Sequence, residues 1–500
     1  MKKLKYTIAS SFLIFGLSSC DSFLSHVPDD RTVIDSPDAV KELLVSAYPG
    51  GTYIPFCEVM SDNVGDKGEA SLKGDIVKNT QSYFWKEHSS LYQDSYNYFW
   101  VASYDAIAAA NHALEAIEEM GNSEKFNSHR GEALIARAYN HFMLANVFAE
   151  HYDPAKNATL LGVPYAVEAE KKVFVDYERE TLEKTYELIR KDLEEGLKLI
   201  DNSMYDVAAY HFNTDAAYAF ASRFYLYTGE WDKVIECANR VLFGDFESKI
   251  RKVSTEYFNY DYYTFKRQYS KAEESANLLL ASVVSSYPWD FATYRYGLTL
   301  PDAMLWFGRE ATPVCGGKWG YSLYGNEKAA NIPKFQDHFK KNSINDDTGL
   351  VYMMSVLFNI EEVLFNRAEA YVMTGNYAGA LADLSTFLKY RVLEYDPIEN
   401  ELTEEKMEAS YKDAKPVLTP FYSLDDRQRT YLNGITDLRR REFIQEGMRW
   451  FDVKRFHVEI VRISENGDVE DTLTPDDLRR AVQIPEDALT YGIKPNPRTK

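Results

Sequence analysis

Cysteine is scarce, with four in 500 residues. Cys57, Cys237 and Cys315 cannot all pair with one another, and no C-x-x-C or other zinc-like spacing occurs. A disulfide framework is therefore excluded as the main stabiliser. Cys237, within an apolar helical pattern, reads as a small core residue. Long apolar runs are also missing: past residue 19 none approaches the roughly 20 residues that a membrane-spanning helix needs. Positive charge is in deficit, with 56 Lys and Arg against 77 Asp and Glu and a formal net charge of −21. Such a surface repels a phosphate backbone, so nucleic acid is not an expected partner. A strongly anionic polysaccharide is disfavoured for the same reason.

Catalytic and cofactor signatures are lacking too. There is no Walker A, no dinucleotide-binding glycine fingerprint, no G-x-S-x-G and no H-E-x-x-H. The nine histidines include no pair three or four residues apart. Asp62, Asp66 and Glu69, and Asn345, Asp346 and Asp347 before Gly349, offer oxygen ligands of the kind calcium takes. Neither stretch fits a twelve-residue EF-hand loop, so both read as polar turns. No catalytic residue, metal or cofactor is assigned. A glycosidase needs only two suitably separated carboxylates, which keeps a surface glycan hydrolase open as an alternative.

What the chain does have begins at its N-terminus. Lys2, Lys3 and Lys5 precede an uncharged apolar run from Ile8 to Leu17, closed by Leu17-Ser18-Ser19-Cys20. This is the layout of a secretory signal peptide over residues 1–19. A cysteine directly after the small residues resembles the bacterial lipobox, which implies cleavage before Cys20 and acylation of its thiol. The following segment, Asp21 to Asp30, reads as an extended tether. Aromatics are abundant, at 37 Tyr, 28 Phe and 7 Trp, which suits both a large helical core and recognition loops.

Helical periodicity dominates the rest. Leu182, Tyr186, Ile189, Leu193, Leu197 and Ile200 form one apolar stripe, and Glu132 to Phe148 is apolar nearly all round, as in a helix buried between neighbours. Tyr225-x-x-x-Gly229-x-Trp231 and Tyr371-x-x-x-Gly375-x-Tyr377 repeat one pattern: an apolar helix, a glycine turn, then an aromatic opening a second helix and wedging between the two. This resembles the tetratricopeptide helix hairpin. Gly50 to Asn79, Tyr257 to Asn331 and Asn400 to Asn433 read as loops. The expected fold is mainly α: a tetratricopeptide-like hairpin scaffold with long irregular inserts.

Motifs in a fixed order then resemble the SusD/RagB family of outer-membrane nutrient-binding lipoproteins. They are Cys20-Asp-x-Phe-Leu, Tyr104-x-x-Ile107-x-x-x-Asn111, Gly131-Glu-Ala-x-x-x-Arg137-Ala-Tyr139 and Gly162-Val-Pro164. Glu362-x-x-x-x-Arg367-Ala-Glu-Ala-Tyr371 follows. Next comes Arg440-Arg-Glu442-Phe-x-x-Glu446-Gly447-x-Arg449-Trp450-x-Asp452-x-x-Arg455, and Ile484-Pro485 and Asn496-Pro497 close the set. The resemblance implies a SusD-like domain over 20–500, with an N-terminal part at 20–240, a C-terminal part at 260–500 and a ligand insert near 250–335. It further implies a lipid anchor at Cys20 on the outer membrane, a surface position, and a SusC-like TonB-dependent transporter as partner. The ligand would be an oligosaccharide or, in some branches, a peptide, bound without catalysis. A structural adaptor is the remaining alternative.

The dense Arg and Glu of 440–455 read as a structural ion-pair network on one helix, and Glu362, Arg367 and Glu369 read the same way. Ligand contacts are sought among loop aromatics, because sugar rings stack on Trp and Tyr. The candidates are Tyr83, Trp85 and Tyr92 before the first long helix, Trp289, Tyr294, Arg295 and Tyr296 in the central insert, and Trp319, Tyr321, Tyr324 and Asn326 in a Gly-rich turn. Trp100, Trp231 and Trp450 fall on helical faces and are assigned to the core.

Overall fold

In the structure, a computed structural model, the Leu182 to Ile200 stripe becomes the helix Leu182–Leu199. Thr181 caps it by accepting the Lys184 N–H at 3.1 Å, and Leu182, Tyr186, Ile189 and Leu193 are buried. The structure describes residues 34–69, 76–169, 178–343 and 346–498. The signal peptide, Cys20, the tether and Asn345 lie outside the described residues. The stripe packs on Asn127–Phe148, which is buried on nearly every face from Gly131 onward. Its other flank meets Tyr96–Glu119, a 24-residue helix capped by Ser95. Arg137 locks the three together, with Nε and Nη2 donating to the two Asp192 oxygens at 2.7 and 2.8 Å and Nη1 donating to Asn111 at 2.9 Å.

The two glycine turns build matching hairpins. Thr214–Thr228 turns into Trp231–Val241, and Ile360–Met373 turns into Tyr377–Lys389. Gly229 and Gly375 sit at φ +75° and +80°. At each, the glycine N–H bonds the carbonyl three residues back (Leu226, Val372), and the next N–H reaches the carbonyl of the repeated tyrosine (Tyr225, Tyr371). This is the Schellman closure, and it explains why a left-handed residue must stand there. The opening aromatics differ from expectation. Trp231 and Tyr377 are half-buried and meet Tyr422 and Tyr431, each outside its own hairpin, while Val234, Ala380 and Leu384 on the second helices are fully buried.

The hairpins lie more than a hundred residues apart in sequence yet are neighbours in space, Trp231–Val241 packing on Ile360–Met373. Arg367 makes the joint: Nη1 donates to Asn239 at 2.9 Å, while Nε and Nη2 hold Asp383 at 2.9 and 2.7 Å. Buried Arg223 donates from Nε to Glu362 at 2.6 Å and lies 4.0 Å over the Phe358 ring.

The segments read as loops are more regular than their composition suggests. Helix Ile54–Met60 and the start of Ile76–Tyr83 lie within the first, and Glu404–Tyr411 and the start of Asp426–Glu442 lie within the third. The second contains helices Tyr262–Tyr269 and Leu300–Phe307 and strand Asn277–Val284. That strand pairs antiparallel with Gly349–Asn359, which also pairs with Asp337–Lys341. The sheet leaves no period-two signature in the sequence, because Asn277–Val284 is covered on both faces along most of its length and so shows no polar alternation.

The 440–455 segment is two helices, not one. Asp426–Glu442 ends, and Met448–Arg455 begins after a turn in which Gln445 and Gly447 have φ +69° and +73°. Gly447 is required there, since a Cβ would stand 3.1 Å from Ile54 Cα in the helix beneath. The network reading holds across that turn. Arg391 donates from Nε and Nη2 to Glu442 at 2.7 and 2.8 Å, and Arg455 holds Glu369 at 2.8 and 3.1 Å. Burial opposes ionisation of Glu442, but Arg391 outweighs it and holds the carboxyl down at about 2.

Candidate functional site

Most sequence-predicted site aromatics are interior. Tyr83 stacks on Tyr296 at 3.9 Å, and Arg462 lies over both Tyr83 and Trp85, at 4.1 and 4.5 Å. Trp85 donates from Nε1 to the Met60 carbonyl at 2.9 Å. Tyr321 donates to Glu442 at 2.6 Å, Trp319 is only 6% exposed beside it, and Tyr294 packs near Tyr287. Tyr83, Trp85, Tyr294, Tyr296, Trp319 and Tyr321 therefore form core beneath the loops and offer no ring face to a ligand. Arg295 is held bidentate by Asp66, at 2.8 Å for both bonds, and works as a loop clasp. Asn326 is exposed, with its side-chain oxygen accepting the Lys328 N–H at 3.0 Å in its own turn.

Tyr92, Trp289 and Tyr324 remain accessible, and the structure joins their segments through residues that the sequence did not single out. Trp289, 54% exposed, lies in the short helix Tyr287–Asp290 and donates from Nε1 to Asp337 at 3.0 Å. Asp337, at the start of its strand, accepts Lys266 Nζ at 2.6 Å through its other oxygen. Lys266 Nζ lies 5.9 and 5.6 Å from the rings of Tyr262 and Tyr263, the latter 64% exposed. Tyr262 meets Tyr324 edge to face at 5.4 Å, and Tyr324 is anchored by donating to the Tyr260 carbonyl at 2.7 Å. Burial alone would raise Asp337, but hydrogen bonds from Lys266 and Trp289 prevail and keep it below the usual carboxylate range. The result is a strip of half-exposed rings pinned by one ionised carboxylate.

Tyr92, 76% exposed, stands on the adjoining loop. Asp94, in a left-handed conformation, accepts Ser286 N–H and Oγ–H, both at 2.8 Å, and so ties that loop to the turn that carries Trp289. Tyr262, Tyr263, Lys266 and Asp337 were missed. The tyrosine density of 257–269 is a usable signal for the first three, whereas Asp337 carries no local signal.

Asp62 and Asp66, weighed as calcium ligands, are both engaged by arginines: Asp62 by Arg440 and Arg449, Asp66 by Arg295. Such a strip presents flat apolar faces beside fixed donors and acceptors, which suits binding of a ligand with alternating C–H and hydroxyl surfaces.

Fold and site together define a class: a helical-hairpin scaffold that presents aromatic rings on long excursions. Residues 22–226 match the SusD-like family model described as "Starch-binding associating with outer membrane", and residues 308–491 match the model described as "SusD family". The chain belongs to the SusD/RagB family. No curated protein matches it significantly. Among solved structures, a SusD superfamily protein from Bacteroides vulgatus is similar with TM-score 0.65 and 20% identity, covering 94% of this chain and 100% of its own. One from Bacteroides thetaiotaomicron has TM-score 0.60 and 19% identity, covering 92% and 99%. A SusD-like carbohydrate binding protein from Bacteroides vulgatus has TM-score 0.59 and 14% identity, covering 91% and 96%. At these identities the likeness is one of fold.

Proposed function

We propose that this protein captures a nutrient oligosaccharide at the outer surface of the outer membrane and passes it, chemically intact, to a SusC-like TonB-dependent transporter. Family membership supports the nutrient-binding role, and a similar structure is a carbohydrate binding protein. The carrying observation is the strip Trp289, Tyr262, Tyr263 and Tyr324, held by Asp337 and Lys266. Stacking on rings of two χ angles gains contact area at small entropic loss. Asp337 and Lys266, fixed by each other, orient polar groups toward hydroxyls without further ordering. Anchoring is assigned to an acylated Cys20.

The test is a glycan-array screen followed by calorimetry on the best oligosaccharide. Trp289→Ala and Tyr263→Ala are expected to weaken binding about tenfold to thirtyfold with unchanged thermal melting. Equal affinity in both variants would remove the strip from recognition. Shortened sugar fragments after long incubation would favour the hydrolase instead.

A further inference from the structure

One stripe of Asp426–Glu442 is polar although it faces protein. Asn433, Thr436, Asp437, Arg440 and Arg441 recur at helical spacing and line a cleft of about 280 Å³, together with Tyr411, Lys415 and Arg449. That volume lies near the lower end of ligand pockets, about 300–1,000 Å³, enough for one small residue rather than an oligomer.

The charges lining it do not balance. Asp437 is matched by Arg441, whose Nε and Nη2 donate to it at 3.1 and 3.2 Å. Asp62 alone serves two guanidiniums: Arg449 holds it at 2.7 and 2.9 Å, and Arg440 also donates to it. Lys415 is exposed and has no ion pair among the described residues. Four cations thus face two carboxylates, in a protein of net charge −21.

Donors are in surplus as well. Arg440 Nε is buried without an acceptor, and Nη1 of Arg440 and of Arg449 have no protein acceptor among the described residues. A guanidinium has five N–H donors in a planar fork that fits a carboxylate. Trp306 holds Arg440 in place, with the guanidinium 5.1 Å over its ring. Burial and then the neighbouring Arg449 charge both work against the Arg440 cation, and the charge of a bound anion would offset them.

We propose that this cleft is a binding site for a carboxylate group, held by Arg440 and Lys415 with Arg449 behind them. It is separate in residues from the aromatic strip and does not depend on that strip's role. The carboxylate belongs to a uronic acid or to a peptide C-terminus, and the arms below separate the two.

The whole chain is titrated calorimetrically with D-galacturonate against neutral D-galactose, and with trialanine against trialanine amide. At least one carboxylate is expected to bind at low salt, to weaken as ionic strength rises, and to exceed its neutral counterpart at least tenfold. Galacturonate alone identifies an acidic sugar, trialanine alone a peptide terminus, and both a general carboxylate site. Lys415→Glu, on an exposed side chain, is expected to lower that affinity at least tenfold with unchanged melting; Arg440→Gln is expected to lower it as well, with reduced melting because it also takes an ion-pair partner from Asp62, and Trp289→Ala is expected to leave it unchanged. No carboxylate binding at millimolar concentration, or binding unchanged in Lys415→Glu, overturns the proposal. Loss in Trp289→Ala alone would return the ligand to the aromatic strip and overturn it equally.

Discussion

Two glycines with the same local geometry face different surroundings, and the difference is measurable. At Gly375 a Cβ would meet nothing within 4 Å, so Gly375→Ala carries the left-handed strain alone, about 1 kcal/mol. At Gly229 the same Cβ would also stand 3.1 Å from Phe421 Cζ. Chemical denaturation should therefore show Gly229→Ala to be the more destabilising; equal losses would mean that Phe421 moves aside freely. Two tryptophans make a similar contrast. Trp319→Ala removes a buried ring and is expected to lower stability by about 3 kcal/mol, whereas Trp289→Ala should leave melting nearly unchanged. Nothing in the residues flanking Trp289 or Trp319 separates the two, since both lie among Tyr, Gly and Pro.

Between elements, the Phe443–Gly447 turn is joined to helix Ile54–Met60 by one carboxylate. Glu58 accepts the backbone N–H of Gln445 at 2.8 Å and of Gly447 at 2.9 Å, and Asn63 Nδ2 at 3.0 Å. Burial outweighs these three donors and raises Glu58 from 4.5 to about 7. A folded-state value above the unfolded one means that the fold favours the protonated acid. Its contribution, on the order of 3 kcal/mol, is present below about pH 4.5 and is lost as pH rises through about 7. Stability of the wild type should therefore fall across that window relative to Glu58→Gln, and parallel curves would refute the assignment. The helix break that creates this site was not legible in the sequence. Arg440 to Arg455 keeps helical spacing throughout, and the turn is held by residues far away in the chain, through Glu58 on two of its N–H groups and the close approach of Gly447 to Ile54. The hairpin turns were legible, because a Schellman closure needs nothing beyond its own few residues.

At the scale of the whole protein, the anchor proposal predicts that Cys20→Ala shifts the protein from the membrane fraction to the soluble one, read by fractionation and blotting. Persistence of the full-length variant in the membrane would remove lipidation from the account. The sequence by itself determined the local and repetitive features: helices spaced by three and four, two glycine-closed hairpins, and motifs that mark the SusD/RagB family. Each of these depends on residues near one another in the chain, so pattern suffices to find them. Tertiary structure alone decided which hairpins stack, that Asn277–Val284 joins a sheet, and which rings reach solvent. Tyr321 is buried because Glu442, 121 residues away, takes its hydroxyl, and Trp289 is held at the surface by Asp337, 48 residues on. Exposure is set by whatever packs from distant parts of the chain, so no local pattern could have sorted the eleven candidates into core and strip.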